Sequence, residues 1–230
     1  GFELAWHNMR FKGWGREAQG APQGRVVPLS ALPLEALVAY DKAFHPAPRP
    51  AFLRAWIHLP QSHALGWWEG GELRGYGVLR ACREGHKLAP LCADTPAVAR
   101  ALFEALCSRV PVTEPVFMDV PDGNAVAVDL ALHQGMEATF STARMYRGPA
   151  PRLALSRLYG LTTLWRAFDA RYVPPASGEI RFRFANAGDL TEPLSQDSLR
   201  APSVFNFFRP GYVPGGTAIG NAGLVAPELQ

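Results

Sequence analysis

Residues 116–136 read VFMDVPDGNAVAVDLALHQGM. The apolar run Val116–Val120 carries one acid, Asp119, and suits a strand covered on both faces. Pro121-Asp-Gly-Asn124 supplies turn residues. Ala125–Gln134 then has helical spacing and stops at Gly135, the residue type that most easily takes left-handed backbone after a last helical turn. A strand that turns straight into a helix is half of a β-α-β crossover.

Working upstream, His86–Ala93 is a further strand. Thr95 suits an N-cap and Pro96 the first helical position, while Val98, Leu102, Phe103 and Leu106 form one apolar helical face. Residues His63–Trp68 and Leu73–Cys82 flank Gly70-Gly71 and predict a β-hairpin. Residues 33–44 and Ala51–Leu59 predict two helices separated by the Pro-rich break His45–Pro50, and Arg25–Leu29 suits a short strand. Downstream, Ala138–Tyr146 alternates like a strand. The order β-α-α-β-β-β-α-β-α-β fills 25–148 and predicts an α/β fold, a mixed sheet flanked by helices. Val116–Val120 is expected at its centre, with Leu102, Phe103, Leu106, Leu130 and Met136 buried.

The composition agrees with a folded chain: 48% of the 230 residues are hydrophobic and 19% charged, enough for a core and too little charge for disorder. The net charge of +3 comes without a Lys/Arg block, so nucleic acid and membrane surfaces are not expected partners. No apolar run reaches the roughly 18–20 residues of a membrane span. Cys82, Cys92 and Cys107 lie far apart with no C-x-x-C, so they read as reduced core residues of a cytoplasmic chain, with no metal site. Gly1 is no initiator, and the final GLVAPELQ has neither helix stop nor polar tail, so both ends are expected to be cut.

The stretch 116–136 resembles the GNAT acyltransferase superfamily, in which a strand is followed by Asn, then Ala, Leu and Gly-Phe at fixed offsets. Asn124, Ala127, Leu130, Gly135 and Met136 occupy those places. The region 1–164 looks most like the C-terminal half of tandem GNAT proteins, through YDKAFHPAPRPAFLRAWI, LRGYGVLRACREGHKLAPLCAD and TARMYRGPAP. Gly1–Met9 echoes Gly135–Met145, so 1–24 is expected to be the tail and linker of a preceding repeat. Residues 25–148 would be the GNAT-like domain and 149–164 its tail.

The resemblance implies acyl transfer from a coenzyme A thioester to an amine, with acetyl-CoA as co-substrate and a small-molecule or protein amine as acceptor. It also implies a preceding GNAT repeat as partner. By the same resemblance coenzyme A would meet Leu91, Cys92, Ala93, Thr95, Ala97, Ala99 and Asn124. Two departures imply a weakened site. The family's pyrophosphate cradle, Arg/Gln-x-x-Gly-x-Gly/Ala, falls on Asp94-Thr-Pro-Ala97-Val-Ala99. There an acid replaces the first residue and Pro96 removes an N–H. The Tyr that often serves as general acid falls on Ala131.

No catalytic residue is assigned. His86 and Glu84 are candidate bases that otherwise read as solvated turn residues, and Asp119 reads as a hydrogen-bonded strand acid. Tyr146 reads as core rather than as a substitute acid. Trp56, Trp67 and Trp68 suit core positions or a substrate cavity, and Arg49 suits a rigid interhelical turn or an anion contact.

From about Trp165 the text changes. SVFNFFRPGY and GLVAPE resemble the C-terminal part of a large bacterial family known only as domain of unknown function 1800. Residues 165–230 are therefore expected to be a largely irregular fragment with few contacts to 25–148 and a short helix near Leu164–Asp169. Its Phe cluster suits an interior anchor for a body the chain lacks, or else a ligand-stacking platform. Three functions compete: an acyl-CoA-dependent N-acyltransferase, a non-catalytic GNAT-like module of a tandem protein, and a chimeric fragment of the uncharacterised family.

Overall fold

Thr95 and Asn124 start their helices through their side chains. In the computed structural model, the Thr95 hydroxyl accepts from Val98 N–H at 3.3 Å and Asn124 Oδ1 accepts from Ala127 N–H at 3.1 Å. The structure describes residues 2–17, 25–45 and 47–162, and the backbone of 167–172, 180–185 and 204–208. Helix α3 spans Pro96–Cys107 and α4 spans Ala125–His133, which Gly135 ends with φ +69°. On the other side of the sheet lie α1 (Leu34–Asp41) and α2 (Pro50–Trp56). Both are shorter than the sequence spacing predicts: α1 stops ahead of the Pro-rich connection, and α2 starts at Pro50 and stops ahead of Pro60.

The strands are β1 (Phe2–Trp14), β2 (Val26–Pro28), β3 (Ser62–Glu69), β4 (Glu72–Ala81), β5 (His86–Ala93), β6 (Pro115–Pro121), β7 (Glu137–Arg147) and β8 (Leu158–Gly160). After them come β9 (Ala167–Tyr172), β10 (Ile180–Ala185) and β11 (Val204–Phe208). The main sheet runs β11-β7-β1-β6-β5-β4-β3-β2, with β8 added against β5. Among the described residues only β5 and β6 are parallel neighbours, joined by α3 as crossover. The β3–β4 hairpin closes on Gly70 and Gly71, both with positive φ, as a two-residue turn of this hand requires.

Side chains alternate across the sheet. Leu79, Leu91 and Met118 pack with α3 and α4, and Tyr76, Val78 and Cys92 with α1 and α2. Helix α3 sits close because β4 offers glycines beneath it. A Cβ at Gly75 would meet Val98 at 2.8 Å and one at Gly77 would meet Leu106 at 2.7 Å. The side chains of Leu102, Phe103, Leu106, Leu130 and Met136 are all buried, as the periodicity predicts.

Three features add to or depart from the sequence reading. First, Phe2–Trp14, expected as the tail of a preceding repeat, forms β1 inside the sheet between β6 and β7. Its alternation buries Trp6, Asn8 and Phe11, and a two-sided strand needs a neighbour on each edge. Second, the helix expected near Leu164–Asp169 is not formed over the described part. Ala167–Tyr172 pairs antiparallel with Ile180–Ala185, and the alternating AFDARY and IRFRFA favour that hairpin. Third, the segment expected to make few contacts adds a strand to the sheet, since β11 pairs with β7 from Phe208↔Thr142 to Val204↔Tyr146. The rest of 201–214, and GLVAPE, lie outside the described residues.

Candidate functional site

In an open α/β sheet the crevice beyond the carboxyl ends of parallel strands is where ligands settle, beside the N-terminus of the crossover helix. Here that place lies between β5 and β6. The two strands pair in parallel from His86↔Val116 to Leu88↔Met118 and then part. The gap is filled by the chain itself. Strand β8 pairs antiparallel with β5 at Leu91↔Gly160 and Cys92↔Leu158, and the Leu161 N–H donates to the Asp119 carbonyl of β6 at 2.8 Å. Leu158, Tyr159 and Leu161 are buried. Gly160 fits because it lacks a side chain: a Cβ there would lie 3.2 Å from Met118 and 3.3 Å from Leu91.

Polar anchors hold this strap along its length. Ala154 N–H donates to the Ala43 carbonyl at 2.9 Å. Arg157 Nη2 reaches Asp94 Oδ1 at 2.5 Å, and the Tyr40 hydroxyl donates to the same oxygen at 2.8 Å. The Arg157 guanidinium lies over the Tyr40 ring, 5.0 Å from its centroid. Burial, together with the hydrogen bond to Asp94, pushes the Tyr40 hydroxyl well above the usual phenol range. Asn124 does two jobs, capping α4 with Oδ1 and donating from Nδ2 to the Leu158 carbonyl at 3.1 Å. At the far end Arg49 Nη2 donates to Thr162 Oγ1 at 3.3 Å.

The residues that the resemblance assigned to coenzyme A are therefore placed as follows. Leu91, Cys92, Ala93 and Ala99 are buried, with Leu91 and Cys92 paired to the strap. Thr95 and Ala97 are exposed at the start of α3. Pro96 has no N–H, that of Val98 goes to the Thr95 hydroxyl, and that of Ala99 goes to the Thr95 carbonyl, which leaves the first turn little to offer an anion. Asp94 adds a negative charge beside it, already engaged by Arg157.

Below the strap Asp119 is fully buried. Arg10 of β1 donates to it from Nε at 2.7 Å and from Nη2 at 3.0 Å, and Lys87 Nζ lies 2.8 Å away. Burial alone would raise the carboxyl's pKa, but Lys87 and Arg10 outweigh it and hold it down to about 2. An ionised carboxylate with two cations on it is a structural anchor rather than a proton acceptor.

The other sequence candidates are dispersed. His86, 3.2 Å from Glu114, sits at the amino end of β5, about 20 Å of strand from Cys92. Glu84 is exposed in the turn before it. Ala131 is buried in α4, and Tyr146 is buried on β7, separated from β6 by β1. Trp56 and Trp67 are buried, and Trp56 Nε1 donates to the Ala89 carbonyl at 3.0 Å. Arg49 is no free anion contact, since it grips the buried Asp41 at 2.8 Å with both Nε and Nη2. Among the described residues no group of three or more His, Cys, Asp or Glu side chains could hold a metal ion, and the three cysteines are unpaired. No helix among them is long and apolar enough to cross a membrane.

A family model described as an acetyltransferase (GNAT) domain matches residues 37–160, more than half of the chain. The chain belongs to the GNAT acetyltransferase family. The match ends at Gly160, so β8 lies within this domain. A holothin acyltransferase of Pseudoalteromonas sp. (strain SANK 73390) is 26% identical over 164 residues, 71% of this chain and 55% of that protein. A Pyrococcus horikoshii protein designated an acetyltransferase shares the fold with a TM-score of 0.58 at 20% identity, over 70% of this chain and 52% of its own. This GNAT chain spans about half the length of these relatives.

Missing from the sequence reading were Arg157, Tyr40 and the strand Leu158–Gly160. The signal was the apolar Leu-Tyr-Gly-Leu directly after an Arg, following the Pro-rich 149–151. Arg10 and Lys87 were also missed as the partners of Asp119.

Proposed function

We propose that this chain is a GNAT-fold half of a larger N-acyltransferase whose own acyl-CoA cleft is closed, and that acyl transfer to an amine takes place in another part of the whole protein. The family reaction moves an acyl group from acyl-CoA to an amine, and this chain's residues do not fit that co-substrate. An extended, amide-bearing thioester arm lying between β5 and β6 would need the strand edge that Leu91 and Cys92 give to β8. A pyrophosphate at α3 would meet the Asp94 carboxylate and a turn short of N–H groups. The observation that carries this reading is the strap's hydrogen bonding to both parting strands. The name of the Pseudoalteromonas relative supports acyl transfer by the longer protein, and the family reaction makes a small-molecule or protein amine the acceptor.

Calorimetric titration of the full chain with acetyl-CoA tests it. No saturable heat is expected at concentrations up to about a hundred times those of a low-micromolar site. Low-micromolar binding would overturn the reading. The variant Asp94→Arg should by itself leave binding absent, because it changes the charge at α3 without removing β8.

A further inference from the structure

Strands β1 and β7 are equivalent pieces of sequence. Aligned without gaps, Gly1 falls on Gly135, Glu3 on Glu137, Trp6 on Phe140 and Arg10 on Arg144. The structure pairs these two strands about a local two-fold axis. Asn8 faces Thr142, its own equivalent, and the pairs on either side exchange under the same rotation: Met9↔Ser141 with His7↔Ala143, and Arg10↔Phe140 with Trp6↔Arg144. Even the irregularities match, since β1 skips Ala5 and β7 skips Thr139, which are equivalent positions. So do the ring contacts: Arg10 lies over Phe140 at 5.0 Å and Arg144 over Trp6 at 5.7 Å.

The axis makes a demand on the outer edge of β7. On the inner side β1 gives its other edge to β6, with Arg10 facing Asp119 in register and bonded to it. Rotated about the axis, β6 falls on the far edge of β7, antiparallel, with its acid opposite Arg144. In this chain β11 takes that position in the same register: Phe208↔Thr142 corresponds to Pro121↔Asn8, and Asn206↔Arg144 to Asp119↔Arg10.

We infer that the outer edge of β7, at Thr142–Tyr146, is the docking edge for a second GNAT-fold repeat. That repeat's counterpart of β6 continues the sheet and sets a carboxylate on Arg144. The two repeats then exchange strands, each lending the other the strand that follows its last helix. The length of the relatives, about twice this chain's matched part, leaves room for such a repeat. The inference rests on the reading of this chain as half of a larger protein, and not on the state of its cleft.

The two-fold axis says that a copy of this unit is its own complement, which supplies the test. Residues 25–134 are placed directly before Gly1, so that Gly1 follows the copied helix as Gly135 follows α4. Amide exchange of the duplicated chain is compared with that of the 230-residue chain. In the duplicate the N–H groups of 204–208 should lose protection as the copied β6 displaces β11. Arg144→Ala should then speed exchange across β7 by at least about tenfold, and Arg10→Ala should do the same across β6 in either chain. In the 230-residue chain Arg144→Ala should have little effect. Unchanged protection at 204–208 together with a silent Arg144→Ala in the duplicate overturns the inference. Should the duplicate not fold, the peptide TEPVFMDVPD (residues 113–122) added to the 230-residue chain decides. Saturable binding with resonance changes at 142–146, weakened at least about tenfold by Asp→Asn at the position of Asp119, supports the inference, and no saturable binding overturns it. Acetyl-CoA titration of the duplicate reads the cleft separately.

Discussion

Strands β5 and β6 run side by side from His86 to Leu88 and then part, and the two stretches are completed in opposite ways. Along the paired stretch the backbones bond to each other, and a buried carboxylate with two cations ties β5, β6 and β1 together. Beyond it the same strands are bridged by the short strand β8, held by backbone bonds to β5 and β6, by the buried Asn124 and by the Arg157–Asp94 pair nearer the surface. Arg157 and Asp94 keep about a third and a quarter of their side chains exposed, against none for Asp119. The first stretch is a permanent part of the sheet, and the second is a closure laid over a crevice that the fold would otherwise leave open.

The comparison breaks most visibly at Asp119. Asp119→Ala strands Arg10 and Lys87 in the interior, and urea unfolding should show a loss of about 3–5 kcal/mol. A loss below 1 kcal/mol would mean that water reaches the cluster.

The same carboxylate sets an acid limb. Its folded pKa of about 2 lies below the unfolded value near 3.9, so its contribution is present above pH 4 and is lost as pH falls from about 4 towards 2. The loss should be about 2 kcal/mol, and the stability curve of Asp119→Asn should lack that step.

The strap half is sharpened by Gly160→Val. Its new side chain would press on Met118 and on the Leu91 backbone, costing about 1–3 kcal/mol and speeding amide exchange in β8. An unchanged exchange rate would show that the strap is not seated in the crevice. The smallest effect belongs to Arg157→Ala. Its partly exposed ion pair should contribute no more than about 1 kcal/mol, yet its loss should speed exchange at the Leu91 and Cys92 amides without touching those of His86–Leu88.

The parts of this fold that were legible in the sequence are those whose signals are local. Thr95-Pro96 and Asn124 start helices, Gly135 ends one and Gly70-Gly71 turns a hairpin, and each acts within four residues of itself. The α/β order and the buried faces of α3 and α4 follow from such signals. What stayed hidden depends on pairing across long stretches of chain. Nothing in FELAWHNMRF says that its neighbours will be β6 and β7, and LYG is too short to announce a strand. At the site, Asp94 and Pro96 could be read as poor company for an anion, but its actual partner is 63 residues away on the strap. The segment after 165 misled because its prolines outweighed the alternation in AFDARY and IRFRFA.

The position of β1 also bears on how the molecule comes to be folded. Arg10 and its partner Asp119 are 109 residues apart, and β7 lies further along still. Closing so long a loop costs entropy that local contacts do not return, so β1 enters late, after the β3–β6 sheet and its helices exist to receive it. On the ribosome this strand emerges ahead of both its neighbours. Until they follow, its apolar Trp6 and Phe11 and two open backbone edges are exposed to pairing with other chains.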